Sequence, residues 1–125
     1  MKLECLPTGS IDCPLIRLYA FDVIEARRLR QSVASLAERR AQSVQLDAQP
    51  WIESINGCRL ELRNAQGDYG VQENGELDFK CELTNSSWDN VKFLLDPFCE
   101  FDKWAFQWLL RQGKISVLIS KDGDW

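Results

Sequence analysis

The chain has 125 residues, of which 45% are hydrophobic and 27% are charged, as expected for one globular domain. Its formal net charge of −4 disfavours sequence-independent binding of nucleic acid, which requires a basic surface. The absence of histidine excludes histidine-dependent catalytic triads and histidine-ligated metal sites.

The N-terminal segment is rich in turn-forming residues. Pro7, Gly9 and Asp12 lie within it, so we predict an irregular arm over residues 1–13 and a single domain over residues 14–125. Residues 15–21 predict a strand, and because both of its faces are apolar, we expect this strand to be covered on both sides.

A helix is predicted after this strand. Asp22 is a favourable N-cap, and Glu25 stands at the position that completes a capping box. Apolar residues then recur at three- and four-residue spacing to about Arg40, which indicates one buried helical face.

The middle of the chain predicts strands. Residues 43–46 form a short candidate, and residues 58–63 and 77–83 alternate between apolar and polar side chains. With a hairpin signal at Asn74-Gly75 and a short strand over residues 71–73, residues 58–83 are predicted to form an antiparallel meander.

A second helix is predicted from Ser86 or Ser87. It is expected to end near Leu95 or Asp96, because Pro97 cannot continue a helix without distortion. Residues 106–110 and 115–120 favour a hairpin, although residues 103–110 are also compatible with a helix.

These elements predict an α+β fold in the order β-α-β-β-β-β-α-β-β. The sheet is expected to be largely antiparallel, with five to seven short strands and two helices packed on it.

The five cysteines have no CxxC spacing, and no apolar run has the length of a signal peptide or a membrane span. We therefore predict reduced thiols, no metal, no cofactor, no membrane association and a cytoplasmic location. Cys58 and Cys81 are predicted to be core residues, whereas Cys5 and Cys13 in the arm are expected to be more exposed.

Two groups of residues are candidates for binding. The chain has five tryptophans, and a domain of this size cannot bury all of them deeply. Trp88 is predicted to lie in the core, together with either Trp104 or Trp108, whereas Trp51 and Trp125 are predicted to be more exposed. The second group is the acidic run Asp96, Glu100 and Asp102, with Trp104 beside it.

Tryptophan is enriched where proteins bind one another, and no catalytic motif is present. The sequence therefore favours a non-enzymatic protein–protein interaction module, with a protein partner or a second copy of the chain and without nucleic acid. The alternative is a small-molecule-binding protein or carboxylate-dependent enzyme with a cleft near residues 96–104.

Overall fold

In a computed structural model, which describes residues 1–100 and 105–125, the chain forms two helices and two β-sheets. The elements within those residues follow one another in the order β1 (Lys2–Leu6), β2 (Leu15–Tyr19), α1 (Val23–Ala37), β3 (Ser43–Gln45), β4 (Glu53–Ser54), β5 (Arg59–Asn64), β6 (Gly70–Gly75), β7 (Asp78–Leu83), α2 (Asn85–Glu100), β8 (Phe106–Leu110) and β9 (Ser116–Ser120). A short 3-10 turn over Leu46–Ala48 follows β3.

Both sheets mix parallel and antiparallel pairs. The five-stranded sheet has the order β4-β1-β2-β9-β8, and the four-stranded sheet has the order β3-β5-β7-β6. The pairs β1–β4, β2–β9 and β5–β7 are parallel, and the other neighbours are antiparallel. The predicted α+β class with two helices is confirmed, but the strands form two sheets instead of one.

The prediction of an irregular arm over residues 1–13 is wrong for its first half. Strand β1 lies between β2 and β4, and Leu3 and Cys5 point into the core with exposed fractions of 0% and 4%. Strand β1 is stabilised by pairing with β2 along all five of its residues. Because β2 lies outside residues 1–13, the local pattern of those residues does not show this pairing. Cys5 is therefore buried, contrary to our expectation, whereas Cys13 is partly exposed.

The predicted meander over residues 58–83 is also wrong. Strand β5 pairs in parallel with β7, and β6 lies on the other side of β7 at the edge of the sheet. The β6–β7 hairpin exists, but its turn is at Glu76 and Leu77, where Leu77 has a φ of 53°.

Helix α1 begins as predicted. The Asp22 side chain accepts a hydrogen bond from the Glu25 backbone, and the Glu25 side chain accepts one from the Asp22 backbone. The helix ends at Ala37, earlier than expected. In the turn that follows, the backbone N–H groups of Arg39 and Arg40 donate to the carbonyls of Leu36 and Ser35, an arrangement known as a Schellman motif.

Helix α2 continues past Pro97 to Glu100, so the predicted end near Leu95 or Asp96 is wrong. Two tertiary contacts hold this last turn. Phe98 is buried and packs edge-on against Phe21 with ring centroids 5.8 Å apart, and Arg27 Nε donates to the Cys99 carbonyl at 3.0 Å. Pro97 cannot donate a backbone hydrogen bond, but it lies in the final turn, where few residues depend on that bond. The two contacts therefore suffice to keep the last turn helical.

One core joins both sheets and both helices. The helices run antiparallel, since Arg27 bonds to Cys99 and Arg30 to Asp96 near one end while Arg39 bonds to Asn85 at the other. Trp88 is buried as predicted, and its indole Nε1 donates to the Arg63 carbonyl at 3.0 Å. The buried side chains of the core include Leu3, Ile16, Leu18, Leu29, Val33, Leu60, Phe79, Leu83, Val91, Leu95, Val117 and Ile119.

Neither helix is long and apolar enough to cross a lipid bilayer, as judged on residues 1–100 and 105–125.

Asp68, in the β5–β6 loop, binds the residues at which α2 begins. Its carboxylate accepts hydrogen bonds from the Thr84 backbone N–H at 2.9 Å, the Ser87 hydroxyl at 2.8 Å and the Thr84 hydroxyl at 3.1 Å. These hydrogen bonds, with that from the Thr84 backbone first, lower the pKa of Asp68. Because its pKa is lower in the folded state than in the unfolded state, the ionised Asp68 carboxylate stabilises the fold at pH values above the unfolded-state pKa. This stabilisation is lost as the pH falls through the folded-state pKa.

We expect Asp68→Ala to lower the free energy of unfolding by about 1 kcal/mol at neutral pH, a modest loss because the carboxylate is exposed to solvent. The difference from the unaltered chain should start to shrink at about pH 4, where Asp68 of the unfolded chain becomes protonated, and shrink further as the pH falls through the lower folded-state pKa. Urea unfolding at several pH values measures both effects, and Glu76→Ala in the exposed β6–β7 turn is the control. A loss that did not change with pH would contradict the role of the Asp68 charge.

Arg39 adopts a φ of 58° at the position of the Schellman motif that glycine usually occupies. This conformation is costly for a residue with a Cβ atom. Arg39→Gly and Arg39→Ala both lose the side-chain hydrogen bond to Asn85, but only glycine relieves the backbone, so Arg39→Gly should have a free energy of unfolding about 0.5–1 kcal/mol above that of Arg39→Ala. Arg40→Gly should not exceed Arg40→Ala, because Arg40 does not have a positive φ. Thermal unfolding compares the two pairs, and equal or lower stability of Arg39→Gly than of Arg39→Ala would refute this account.

Candidate functional site

The five-stranded sheet buries leucines on its outer face as well as on the face that meets the core. Leu15 of β2 and Leu118 of β9 lie outside the main core cluster, yet both have exposed fractions of 0%. The sheet therefore has its own cover on the side away from the helices, as expected for a strand with two apolar faces.

Part of this cover is the C-terminal segment, residues 121–125. Arg17, which points to the outer face, donates from Nη1 to the Gly123 carbonyl at 2.8 Å. A Cβ atom at Gly123 would lie 3.0 Å from the Arg17 guanidinium and 3.2 Å from the Tyr19 ring, so glycine permits this close approach. The buried Ser120 hydroxyl accepts from the Gly123 backbone N–H at 3.1 Å and donates to the Asp124 carbonyl at 2.5 Å.

Three distant segments meet at the carboxylate of Asp12. One of its oxygens accepts from the Trp125 indole Nε1 at 2.9 Å, and the other accepts from Arg111 Nη2 at 3.0 Å. The Arg111 guanidinium in turn stacks over the Trp108 ring, 4.0 Å from its centroid. Asp12 therefore fixes a tryptophan and an arginine at the protein surface.

Exposed apolar side chains adjoin this network. Ile11, next to Asp12 in the chain, is 99% exposed, Trp125 is 37% exposed, and Phe106 is 39% exposed. Phe106 lies two residues before Trp108 on β8, so the two side chains share the outer face of the sheet. We call this region the aromatic surface, and it consists of Ile11, Phe106, Trp108, Arg111 and Trp125.

The arginines of this face are paired within the chain. Arg111 forms its ion pair with Asp12, and Arg17 forms one with Glu4 at 2.6 Å while its guanidinium lies 4.1 Å from the Tyr19 ring centroid. The Arg111 guanidinium in the aromatic surface is therefore paired within the chain while it stacks on Trp108.

Trp51 lies away from the aromatic surface. It is half-buried and packs against the core, and its carbonyl accepts a hydrogen bond from the Met1 nitrogen at 3.0 Å. The Met1 nitrogen also bonds to the carboxylate of Glu25. Trp51 thus joins the start of β1 to the core, which limits how much of its ring a partner could contact.

The structure brings two of the predicted acidic residues together. Asp96 and Glu100, one helical turn apart on α2, line a cleft of about 340 Å³ with Arg27, Arg30 and Cys99. The Asp96 carboxylate accepts from Arg30 Nε at 2.5 Å, which links the two helices. Asp102 and Trp104, the other predicted members of this group, lie outside the described residues.

The buried thiols are poor nucleophiles. Burial raises the pKa of Cys99 in the cleft, and it raises the pKa of Cys58 to about 12. The reactive form of cysteine is the thiolate, which such values suppress at neutral pH. Cys58 and Cys81 are core residues, as predicted. Within residues 1–100 and 105–125, no three cysteine, aspartate or glutamate side chains form a metal-binding group.

Two further cavities differ in character. A void of about 30 Å³ among Leu29, Leu60 and Trp88 lies in the apolar core and is too small for an organic ligand. A surface cleft of about 430 Å³ lies where α1 ends and α2 begins, and it is lined by Arg39, Gln42, Asn64, Ala65, Gln66 and Asn85. Its side chains are mostly neutral amides, so they offer hydrogen bonds but no nucleophile or general base.

Sequence reasoning named Trp125 but missed the rest of the aromatic surface. Phe106 and Trp108 could be grouped from the sequence, because side chains two residues apart on a predicted strand lie on the same face. Asp12 and Arg111 could not, since they are 99 residues apart and meet only when the chain is folded.

Comparison of the chain with models of known protein families, with curated proteins and with solved structures gives no significant match.

We expect Asp12→Ala to loosen the C-terminal segment, because both Trp125 and Arg111 lose their acceptor. Backbone amides of residues 121–125 should exchange faster with solvent, whereas the cost in global stability should stay below about 1 kcal/mol for so exposed a network. Hydrogen exchange followed by NMR measures the first effect, and Asp89→Ala on the exposed side of α2 is the control. Unchanged exchange in the segment would show that Asp12 does not hold it.

Proposed function

We propose that the protein is a non-enzymatic interaction module that binds a partner protein through the aromatic surface. The observation that carries this proposal is the exposure of Ile11, Phe106 and Trp125 beside the stacked pair Trp108–Arg111. Tryptophan and arginine are the side chains most enriched among residues that dominate binding energy.

The rigidity of the network supports the same proposal. Asp12 holds both Trp125 and Arg111 before any partner arrives. Fixing a long side chain on binding costs conformational entropy, so a surface whose anchors are already held loses less on association. A partner would gain apolar contact with Trp125 without first ordering its ring.

A carboxylate-dependent enzyme has weaker support. The cleft at Asp96 and Glu100 has a suitable size, but Asp96 is engaged by Arg30 and the adjacent Cys99 thiol has a raised pKa. A general base must be free to accept a proton from a substrate. The ion pair between α1 and α2 is better explained as a contact that holds the helices together.

The test compares two isoleucines that are both exposed. Ile11→Asp places a charge in the aromatic surface, whereas Ile24→Asp places the same charge on α1, where the isoleucine is 60% exposed. A tagged chain is recovered from its native cells, and the captured protein, which can be another polypeptide or an untagged copy of the chain, is identified by mass spectrometry.

We expect Ile11→Asp to weaken binding of the captured protein at least about tenfold, as for a residue within an interface, and Ile24→Asp to leave it unchanged. Calorimetric titration with the purified partner gives the two dissociation constants. Equal effects of the two substitutions, or the absence of any stoichiometric partner, would overturn the proposal.

A further inference from the structure

The edge strands of the two sheets differ in how well they are protected from pairing with another chain. Strands β3 and β4 have only three and two residues. Strand β6 has an irregular register between Glu73 and Gly75 and a charged side chain at its exposed end. Short length, bulges and charge are the features that discourage edge-to-edge pairing.

Strand β8 also has a register shift, between Trp108 and Leu110, but its first three residues pair regularly with β9 and lack the charge found on β6. Its residues, Phe106–Leu110, include no charge and no proline, and within the described residues it pairs only with β9. An uncharged edge with aromatic side chains is the kind of strand that recruits another.

The backbone of β8 has hydrogen-bonding groups that point away from β9. The Ala105 carbonyl accepts from the Lys121 N–H at 2.9 Å, and Gln107 lies opposite Ile119. Because backbone groups alternate in direction along an antiparallel strand, those of Phe106 and Trp108 point to the free edge. Within residues 1–100 and 105–125, the Trp108 carbonyl accepts there from the Gln107 side chain, at 3.0 Å, a local bond that another strand can replace.

The far end of β8 is less accessible. Gln112, in the turn after β8, donates from Nε2 to the Asp68 carbonyl at 3.0 Å, and this turn lies against Gly70 at the start of β6. Among the described residues, the part of the edge without a neighbouring strand is therefore Phe106 to Trp108, which also carries two members of the aromatic surface.

We propose that the partner of the aromatic surface is a second copy of this chain, joined by antiparallel pairing of the two β8 strands. A two-fold axis near Gln107 places Phe106 of one copy opposite Trp108 of the other. Each copy then supplies the donors and acceptors that the other needs, because an isologous contact uses one surface twice. The two five-stranded sheets become one sheet of ten strands.

Charge and side-chain contact favour a second copy over a different partner. Arg111, the charged member of the aromatic surface, is paired with Asp12, so two copies do not bring unpaired arginines together. The cross-strand pair of Phe106 with Trp108 is an aromatic contact of the kind that stabilises antiparallel sheets. This inference rests on the proposed function, since it names the partner of the same surface.

The test begins with sedimentation velocity of the full chain. We expect a reversible monomer–dimer equilibrium with a dissociation constant between about 1 and 100 µM, because a short strand pair buries less than a permanent interface. Phe106→Lys should weaken dimerisation at least about tenfold by adding charge at the edge. The matched control is Phe93→Lys, since Phe93 is 70% exposed on α2, away from β8.

Hydrogen exchange on the unaltered chain provides a second measurement that no folding defect can affect. The Trp108 amide, which points to the free edge, should become protected as the protein concentration rises. The Gln107 amide, which faces β9, should be protected at every concentration.

Two results would overturn the dimer. One is a chain that stays monomeric up to about 100 µM, and the other is concentration-independent exchange at Trp108. If the monomeric chain still captured a different protein that Ile11→Asp released, only the identity of the partner would be wrong, and the interaction module would stand. Loss of both dimer and capture would overturn both.

Discussion

The five-stranded sheet must be covered on both faces, and the arrangement of the molecule follows from this requirement. Leu18 and Ile119 on the inner face and Leu15 and Leu118 on the outer face are all essentially excluded from water. Burying side chains of this size is worth about 1.5–3 kcal/mol each. The two helices and the four-stranded sheet complete the inner side, and the C-terminal segment helps to cover the outer side.

The cover on the outer face is thinner than the core and depends on polar contacts. Arg17 holds the Gly123 carbonyl, and Asp12 holds Trp125. Cover of this kind leaves some large side chains partly in water, which is why aromatic residues are exposed at this face and not at the helices' common interface. The same requirement that stabilises the sheet therefore also produces the surface to which we assign binding.

Local patterns were sufficient to predict the elements whose stability is local. The capping box at Asp22 defined the start of α1, and the aromatic and β-branched content after residue 105 favoured the β8–β9 hairpin, with β8 at its observed bounds. Strand β1 was missed because its pairing with β2 is a tertiary interaction, and nearby turn formers dominate the local signal. The parallel pairing of β5 with β7 was missed for the same reason, since no local pattern specifies which strands become neighbours.

The candidate site was less predictable than the fold. Composition indicated that some tryptophans are exposed, and Trp125 is one of them, but Trp51 is held by the Met1 nitrogen and packs on the core. Local sequence patterns do not predict contacts between residues that are far apart in the chain, such as Met1 and Trp51. Asp96 and Glu100 could be grouped from their spacing, whereas the arginines of α1 that share their cleft could not.

The two bonds of Asp12 span 99 and 113 residues of chain, among the longest sequence separations in the molecule. Contacts between such distant segments carry the largest loop-closure cost and are expected to form late in folding. Since they lie at the exposed periphery, they should also open in local fluctuations that leave the core intact. The aromatic surface then exists only while the sheet, the N-terminal arm and the C-terminal segment are all in place, so that a partner would recognise the completed fold and not its intermediates.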